Sequence, residues 1–349
     1  MAPYNDARQH SFNAAYSYPW PRGEEPSKFN RFSTWDIGNY LRLAKHGYER
    51  DDPCCAFFPL FPVVIGYLYN YLPKPWNFGA CYVVSGFLAF FALSKFYTFS
   101  VSMKGKEIGI WATLLIAATP GAVFLFVPYT ESLFLLLSLL FIQRLERGSL
   151  LVLMVTAFLL PLCRAVGIFA VIPAAFWIFH PNNRPRAVLA ILSIVAGYSF
   201  YLVIMWLSTG NFLEGYEAQR FFVNKPSIAN IFAVPKILSS ATDIVAVFDP
   251  VAGGLDRALF ILMICSLPLV FRMDRSLALY TAAIGIIPAL TNLFLSYTRF
   301  FVLCFPCFLA LAEHFVGNNK AKRLIPLIGG GVIIQLIAWW RFISFEWIG

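Results

Sequence analysis

The chain has 349 residues, of which 59% are hydrophobic and only 13% are charged, and its mean hydropathy is +0.68. Soluble domains carry about 25% charged residues, so this composition excludes an ordinary water-soluble protein and is typical of one surrounded by lipid. The formal net charge of +9 comes from Lys and Arg in short loops between apolar runs. That distribution is typical of membrane orientation and argues against a nucleic-acid-binding protein.

The hydropathy pattern divides the chain into an N-terminal segment, residues 1–76, and a transmembrane domain, residues 77–349. A membrane-crossing helix needs about 20 apolar residues. The run 56–73 is flanked by prolines, and we expect it to form a helix that lies in the membrane interface. Ten further nearly uncharged runs predict an all-α, polytopic protein with about ten transmembrane or half-spanning helices. These runs are 78–94, 108–130, 132–143, 149–163, 165–179, 187–213, 258–271, 276–298, 300–312 and 324–340.

Basic residues follow every second apolar run. The clusters consist of Lys95, Lys104, Lys106, Arg144, Arg147, Arg184, Arg186, Arg272, Arg275, Lys320, Lys322 and Arg323. The positive-inside rule assigns all of them to the cytoplasmic side if the ten runs all cross. The opposite, extracytoplasmic side then holds residues 1–76 and a large loop at residues 214–256.

The first polar motif on this outer side is FSTWDIGNYLRLAKHGYERDDPCCAFFPLFP, residues 32–62. Ser33 or Thr34 is placed to cap a helix that has Asp36 in its first turn, with Tyr40 on the same helical face. The pattern leaves two interpretations of Asp36 open. Its carboxylate satisfies the amides at the helix N-terminus, or it is a catalytic acid.

Three further polar groups adjoin apolar runs. Glu131 lies in VPYTES, where an ionisable side chain is costly and therefore a functional candidate; the alternative is a helix cap provided by Thr130. Arg164 breaks a long apolar stretch, and Arg299 follows SYT before another. Each arginine either extends towards lipid headgroups or binds a phosphate through its planar guanidinium.

The outer loop contains EGYEAQRFFVNKP, residues 214–226, in which Gln219 and Arg220 precede two phenylalanines. Amides beside aromatic rings are typical of sugar-binding surfaces. They are equally typical of the aromatic belt at a membrane interface.

Four motifs, taken in chain order, resemble those of the GPI mannosyltransferase family, the second mannosyltransferase of GPI-anchor assembly, and its prokaryotic homologues. The motifs are WD…YLRLAKHGY…AFFPLFP, TPGAVFLFVPYTESLFLLLSLL, EAQRFF and SYTRFFVLCFPCFLALA. The resemblance implies a glycosyltransferase of the GT-C type. It also implies a transmembrane helix before the Trp-Asp motif, and the chain departs from this pattern because residues 1–31 are polar.

The resemblance further implies that mannose is transferred from a polyprenyl-phosphate-linked donor, with inversion, to a hydroxyl of a glycan, lipid or protein acceptor. Asp36 matches the acidic residue expected to act as general base. The expected substrate-binding residues are Trp35, Tyr40, Glu131, Arg164, Gln219, Arg220 and Arg299. We expect no metal and no cofactor, and a multi-pass protein of a prokaryotic cell membrane rather than of the ER, with its site on the extracytoplasmic side.

Two other functions are compatible with the same residues. A transporter or lipid flippase also places charges at broken helices, although it favours charges near the membrane midplane, whereas those here lie at helix ends. A non-catalytic subunit would keep the fold as a binding scaffold.

Overall fold

The computed structural model describes residues 35–73, 76–249, 251 and 253–348. Apart from an isolated bridge between Ala246 and Gly253, these residues contain helices, turns and loops and no strand. The predicted all-α fold is therefore confirmed. The caps proposed at Ser33 and Thr34, and the polar segment 1–31, lie outside the described residues.

The α-helices run Asp36–His46 (α1), Leu60–Tyr71 (α2), Trp76–Lys104 (α3), Lys106–Ala118 (α4), Val123–Phe126 (α5), Glu131–Glu146 (α6), Leu150–Cys163 (α7), Val171–Ile178 (α8), Arg184–Thr209 (α9), Glu214–Glu217 (α10), Val234–Thr242 (α11), Gly254–Met273 (α12), Arg275–Thr291 (α13), Tyr297–Leu303 (α14), Phe305–Gly317 (α15) and Leu324–Ile343 (α16). Short 3₁₀ helices occupy Pro53–Ala56, Pro120–Ala122, Ala165–Ala170, Pro181–Asn183, Ala218–Phe221, Ile228–Phe232 and Ala321–Arg323.

Among the described residues, four helices are long and apolar enough to cross a membrane, or up to six if each of two bent pairs is one span. The four are Trp76–Lys104, Pro181–Thr209, Gly254–Met273 and Ala321–Ile343. Leu150–Cys163, Ala165–Ile178 and Arg275–Thr291 are apolar but shorter. The count of about ten spans remains a prediction, as do the boundary near residue 76 and the interfacial position of α2.

Two of the predicted runs are bent. The run 108–130 turns by 76° between α4 and the segment Pro120–Phe126, and α14 and α15 are related by 65°. Thr119 is extended because a residue that precedes proline is disfavoured in the helical region. The two bends pack against each other, and Gly121 makes this possible because a Cβ there would lie 2.1 Å from the carbonyl oxygen of Thr298.

The predicted break after α7 is present at Arg164, which is extended, whereas Pro161 remains inside the helix. Gly167 allows the chain to fold back at this point, since a Cβ there would lie 2.2 Å from the carbonyl oxygen of Leu160. The breaks bring the start of α6, the end of α7 and the start of α14 to one region. There α1 packs on α2 through buried Ile37 and Leu41.

Candidate active site

Asp36 is the first residue of α1 and is held from two directions. Its backbone N–H donates to the hydroxyl oxygen of Tyr129 (3.2 Å), and its carboxylate forms an ion pair with Arg299. Trp35, at the cap position of α1, makes no side-chain cap bond, and within the described residues the Asp36 carboxylate accepts from Arg299 and from no amide of α1. The capping interpretation of Asp36 is therefore wrong, because its carboxylate is directed at Arg299. The Asp36 side chain keeps 22% of its surface exposed, so a substrate can reach it.

Glu131 is the first residue of α6, and its side chain is completely buried. Its Oε1 accepts from Arg299 Nε (2.8 Å) and from Arg164 Nη1 (2.7 Å). Among the described residues, Oε2 has no hydrogen-bond partner. A buried carboxylate is tolerated only when it is paired and hydrogen-bonded. A single oxygen of Glu131 thus accepts hydrogen bonds from both arginines.

The two arginines point into the protein. Each guanidinium-bearing side chain is only 11% exposed, so extension towards lipid headgroups is excluded for both. Arg164 also donates to Thr130 Oγ1 (2.7 Å); Thr130 occupies the cap position of α6 but makes no side-chain cap bond. The cap proposed for Thr130 is therefore wrong.

Aromatic rings lie against the guanidinium groups of both arginines. The guanidinium carbon of Arg299 lies 4.5 Å from the ring centre of Tyr129 and 5.4 Å from that of Phe124, and that of Arg164 lies 5.0 Å from the ring centre of Phe300. Such cation–π contacts stabilise a positive charge in a site with little water. We call Asp36, Glu131, Arg164 and Arg299 the charge cluster; it contains two positive and two negative side chains.

Tyr40 and Trp35, the two aromatic residues expected to bind substrate beside Asp36, contact other aromatic rings. Tyr40 is buried, with its ring centre 5.2 Å from that of Phe57 and 6.0 Å from that of Tyr129. Burial raises the pKa of Tyr40 above the ordinary range, so its phenol remains protonated at neutral pH. Trp35 packs edge-on against Trp347 at 4.8 Å, and it has a positive φ of 53°. The backbone is therefore strained directly before Asp36.

Gln219 and Arg220 lie apart from the charge cluster. Arg220 binds Asp51 (2.5 Å) in an exposed ion pair, and Gln219 is half-buried on the same 3₁₀ helix. Neither makes a hydrogen bond to the cluster within the described part of the chain. Their expected role in substrate binding remains a prediction, without support from these contacts.

Asp256 is a polar residue of this region that the sequence motifs did not identify. It is 3% exposed, near the start of α12, and it accepts from the backbone N–H (2.6 Å) and hydroxyl (2.7 Å) of Thr298, the neighbour of Arg299. The sequence does contain a signal that could have identified Asp256, because Asp256 and Arg257 begin an apolar run in which charges are costly. Within the described ranges, no group of three or more His, Cys, Asp or Glu side chains is placed to hold a metal ion.

About half of the chain matches a known protein family. Residues 24–204 match the family model described as Mannosyltransferase (PIG-V). The comparison with curated proteins gives no match. Among solved structures, the chain is similar to the crystal structure of the Archaeoglobus fulgidus oligosaccharyltransferase tethered with an acceptor peptide, with 11% identity and a TM-score of 0.48. That similarity covers 98% of this chain and 55% of the oligosaccharyltransferase chain, so this chain spans about half the length of that protein.

Proposed function

The chain belongs to the mannosyltransferase (PIG-V) family and is therefore a membrane glycosyltransferase; on that premise we propose that it transfers mannose from a polyprenyl-phosphate-linked donor to an acceptor hydroxyl. The acceptor belongs to a glycan, a lipid or a protein. The main support for the proposal is the ion pair between Asp36 and Arg299. It places a partly exposed carboxylate, which can accept a proton, beside a guanidinium, which can bind a phosphate.

Arg299 is the proposed phosphate-binding residue, with Arg164 beside it. A guanidinium presents donors in a planar fork that matches two phosphate oxygens. In the structure Arg299 uses Nη1 for Asp36 and Nε for Glu131. A donor phosphate that approaches Nη1 competes with the Asp36 carboxylate for the same donor. Phosphate binding therefore releases Asp36 from its ion pair.

The released carboxylate is the proposed general base. The acceptor oxygen attacks the anomeric carbon, the bond between that carbon and the phosphate oxygen breaks, and the hydroxyl proton passes to Asp36. The products are the inverted mannoside and polyprenyl phosphate. Arg299 stabilises the negative charge that develops on the leaving phosphate oxygen, so the same contact serves donor binding and the chemical step.

Glu131 has a different role in this proposal from the one its motif suggested. Its Oε1 already accepts from both arginines, and its side chain is fully buried. We assign it to holding the two guanidinium groups at a fixed separation rather than to orienting sugar hydroxyls.

The distribution of charge supports the proposed position of the site on the extracytoplasmic side. Glu131 begins α6 and Arg144 lies in its last turn, roughly 20 Å away at 1.5 Å per residue. The basic cluster of Arg144 and Arg147 thus lies at the opposite end of α6 from the charge cluster. Cysteine labelling tests this arrangement. A cysteine within 214–226 should react from outside and one at Lys320 from inside; reaction of both from the same side would refute it.

Incorporation of radiolabelled mannose tests the activity. Purified protein in detergent is given synthetic polyprenyl-phosphate mannose and candidate acceptors, and label is expected in a mannoside that forms together with polyprenyl phosphate. A transporter or flippase would leave the donor intact. Unchanged donor with every acceptor class, in the presence of well-folded protein, would refute the proposal.

A further inference from the structure

The start of α14, which carries Arg299, depends on a carboxylate from another helix. Asp256 of α12 is 3% exposed and accepts two short hydrogen bonds through Oδ1, from the N–H and the hydroxyl of Thr298. No side chain within α14 caps that helix. Asp256 therefore fixes the backbone of the residue directly before Arg299.

The backbone that leads into α14 is strained. Leu293, Phe294 and Ser296 have positive φ values of 51°, 66° and 58°. Residues other than glycine adopt such conformations only where surrounding contacts impose them. Besides the bonds to Thr298, the contacts here include a hydrogen bond from Ser240 Oγ to the carbonyl oxygen of Leu293 (2.9 Å).

Arg257 makes no direct ion pair with its neighbour Asp256. Its guanidinium donates to three carbonyl oxygens instead, those of Ser240, Val251 and Gly253, and within the described chain Asp256 has no ion pair. A buried carboxylate is costly unless it is hydrogen-bonded. The hydrogen bonds that Asp256 accepts come from the helix that carries Arg299.

We propose that Asp256 is a positioning residue that holds α14 so that the guanidinium of Arg299 lies between Asp36 and Glu131. It touches no substrate and acts through Arg299. The consequence for turnover rests on the proposed function, whereas the structural role does not. Loss of Asp256 should loosen Arg299 and, through it, the start of α1.

Hydrogen exchange measured by mass spectrometry on the full chain in detergent tests the structural role. In Asp256→Ala, exchange should become roughly ten- to hundredfold faster in the peptide that contains Thr298, as expected for the loss of a bond to a charged acceptor. It should also become faster at Asp36, whose N–H is bonded to Tyr129. Asp256→Asn keeps one acceptor oxygen and should give an intermediate result.

Asp274→Ala is the matched control. Asp274 caps α13 by accepting from Leu277 N–H (2.8 Å), so this variant loses a similar carboxylate bond at the start of a different helix. Exchange at Thr298 and Asp36 should remain at the wild-type rate. The proposal is wrong if Asp256→Ala leaves the Asp36 region unchanged, since Asp256 would then be a local cap, or if Asp274→Ala loosens both regions equally. Should Asp256→Ala not fold, Thr298→Val removes one of the two bonds and serves instead.

Kinetics test the path through Arg299. Asp256→Ala should raise the KM for the donor in the wild-type background, and Asp256→Asn should restore part of it. In an Arg299→Lys background, Asp256→Ala should change the KM for the donor by no more than about twofold, because the two residues act as one unit. If Asp256→Ala raises the KM for the donor by the same factor in both backgrounds, the two residues act independently, and action of Asp256 through Arg299 is refuted. A wild-type protein that transfers no mannose would refute the proposed function, and the exchange comparison would still decide the role of Asp256.

Discussion

Replacing Asp36 by asparagine removes the negative charge of the proposed base while keeping its shape. The loss of a positioned general base costs about 10²- to 10⁴-fold in rate, which corresponds to roughly 3–5 kcal/mol of transition-state stabilisation. The cost in stability should lie between that of an exposed ion pair, about 1 kcal/mol or less, and that of a buried pair, roughly 3–5 kcal/mol, because the side chains of Asp36 and Arg299 are 22% and 11% exposed. Arg299 keeps its hydrogen bond to the buried Glu131 in this variant, so the protein should fold.

A second prediction for Asp36→Asn concerns the KM for the donor and depends on the ion pair with Arg299. In the wild type the donor phosphate must displace the Asp36 carboxylate from Arg299. A neutral asparagine competes less well, because hydrogen bonds between charged groups are about twice as strong as neutral ones. The KM for the donor in Asp36→Asn should therefore be unchanged or lower, while kcat falls steeply.

The assay is steady-state transfer of labelled mannose, with thermal unfolding measured on the same preparations. Asp274→Asn provides the control, since Asp274 also lies at the start of a helix, where its carboxylate accepts from Leu277 N–H, and it is not a member of the charge cluster; its turnover should remain near that of wild type. Turnover of Asp36→Asn within threefold of wild type would remove Asp36 from the mechanism. A strongly raised donor KM would refute competition between phosphate and carboxylate.

Two further substitutions test the rest of the charge cluster. Arg299→Lys keeps the charge but loses the planar fork, so the KM for the donor should rise by roughly tenfold, whereas Arg184→Lys, at an exposed arginine outside the charge cluster, should leave it unchanged; an equal KM in both variants would refute phosphate binding by Arg299. Glu131→Gln leaves buried Arg164 without a carboxylate and Arg299 with Asp36 alone, and it should lower the free energy of unfolding by about 3–5 kcal/mol, as measured by chemical denaturation, while the same change at exposed Glu107 should have little effect. A Glu131→Gln protein as stable as wild type would contradict the assigned role of Glu131.

Sequence patterns identified the four members of the charge cluster but not their partnership. Glu131, Arg164 and Arg299 were recognisable because charges beside apolar runs are costly. The local alternatives, caps and headgroup contacts, were wrong because they consider one helix at a time. The actual partners are distant in the chain: Arg299 lies 168 residues from Glu131 and 263 from Asp36.

The bends explain another part of what hydropathy did not predict. The run 108–130 is continuous in hydrophobicity, yet the chain turns at Pro120, and the close approach at Gly121 follows from the backbone of a distant segment. Asp256 was missed for a similar reason. It was counted within the outer loop 214–256, whereas its hydrogen bonds go to Thr298, 42 residues further along the chain.

The sharing of a single oxygen of Glu131 by two guanidinium groups restricts how homologous sequences can diverge. Loss of the carboxylate alone leaves two buried positive charges, and loss of either arginine changes the balance for the other. Substitutions at Glu131, Arg164 and Arg299 should therefore be correlated within the family, with neutral replacements at the acidic position accompanied by loss of an arginine. Asp36, which is partly exposed and binds only one of the two cations, should take no part in this correlation, because its retention is required by its proposed role as the base.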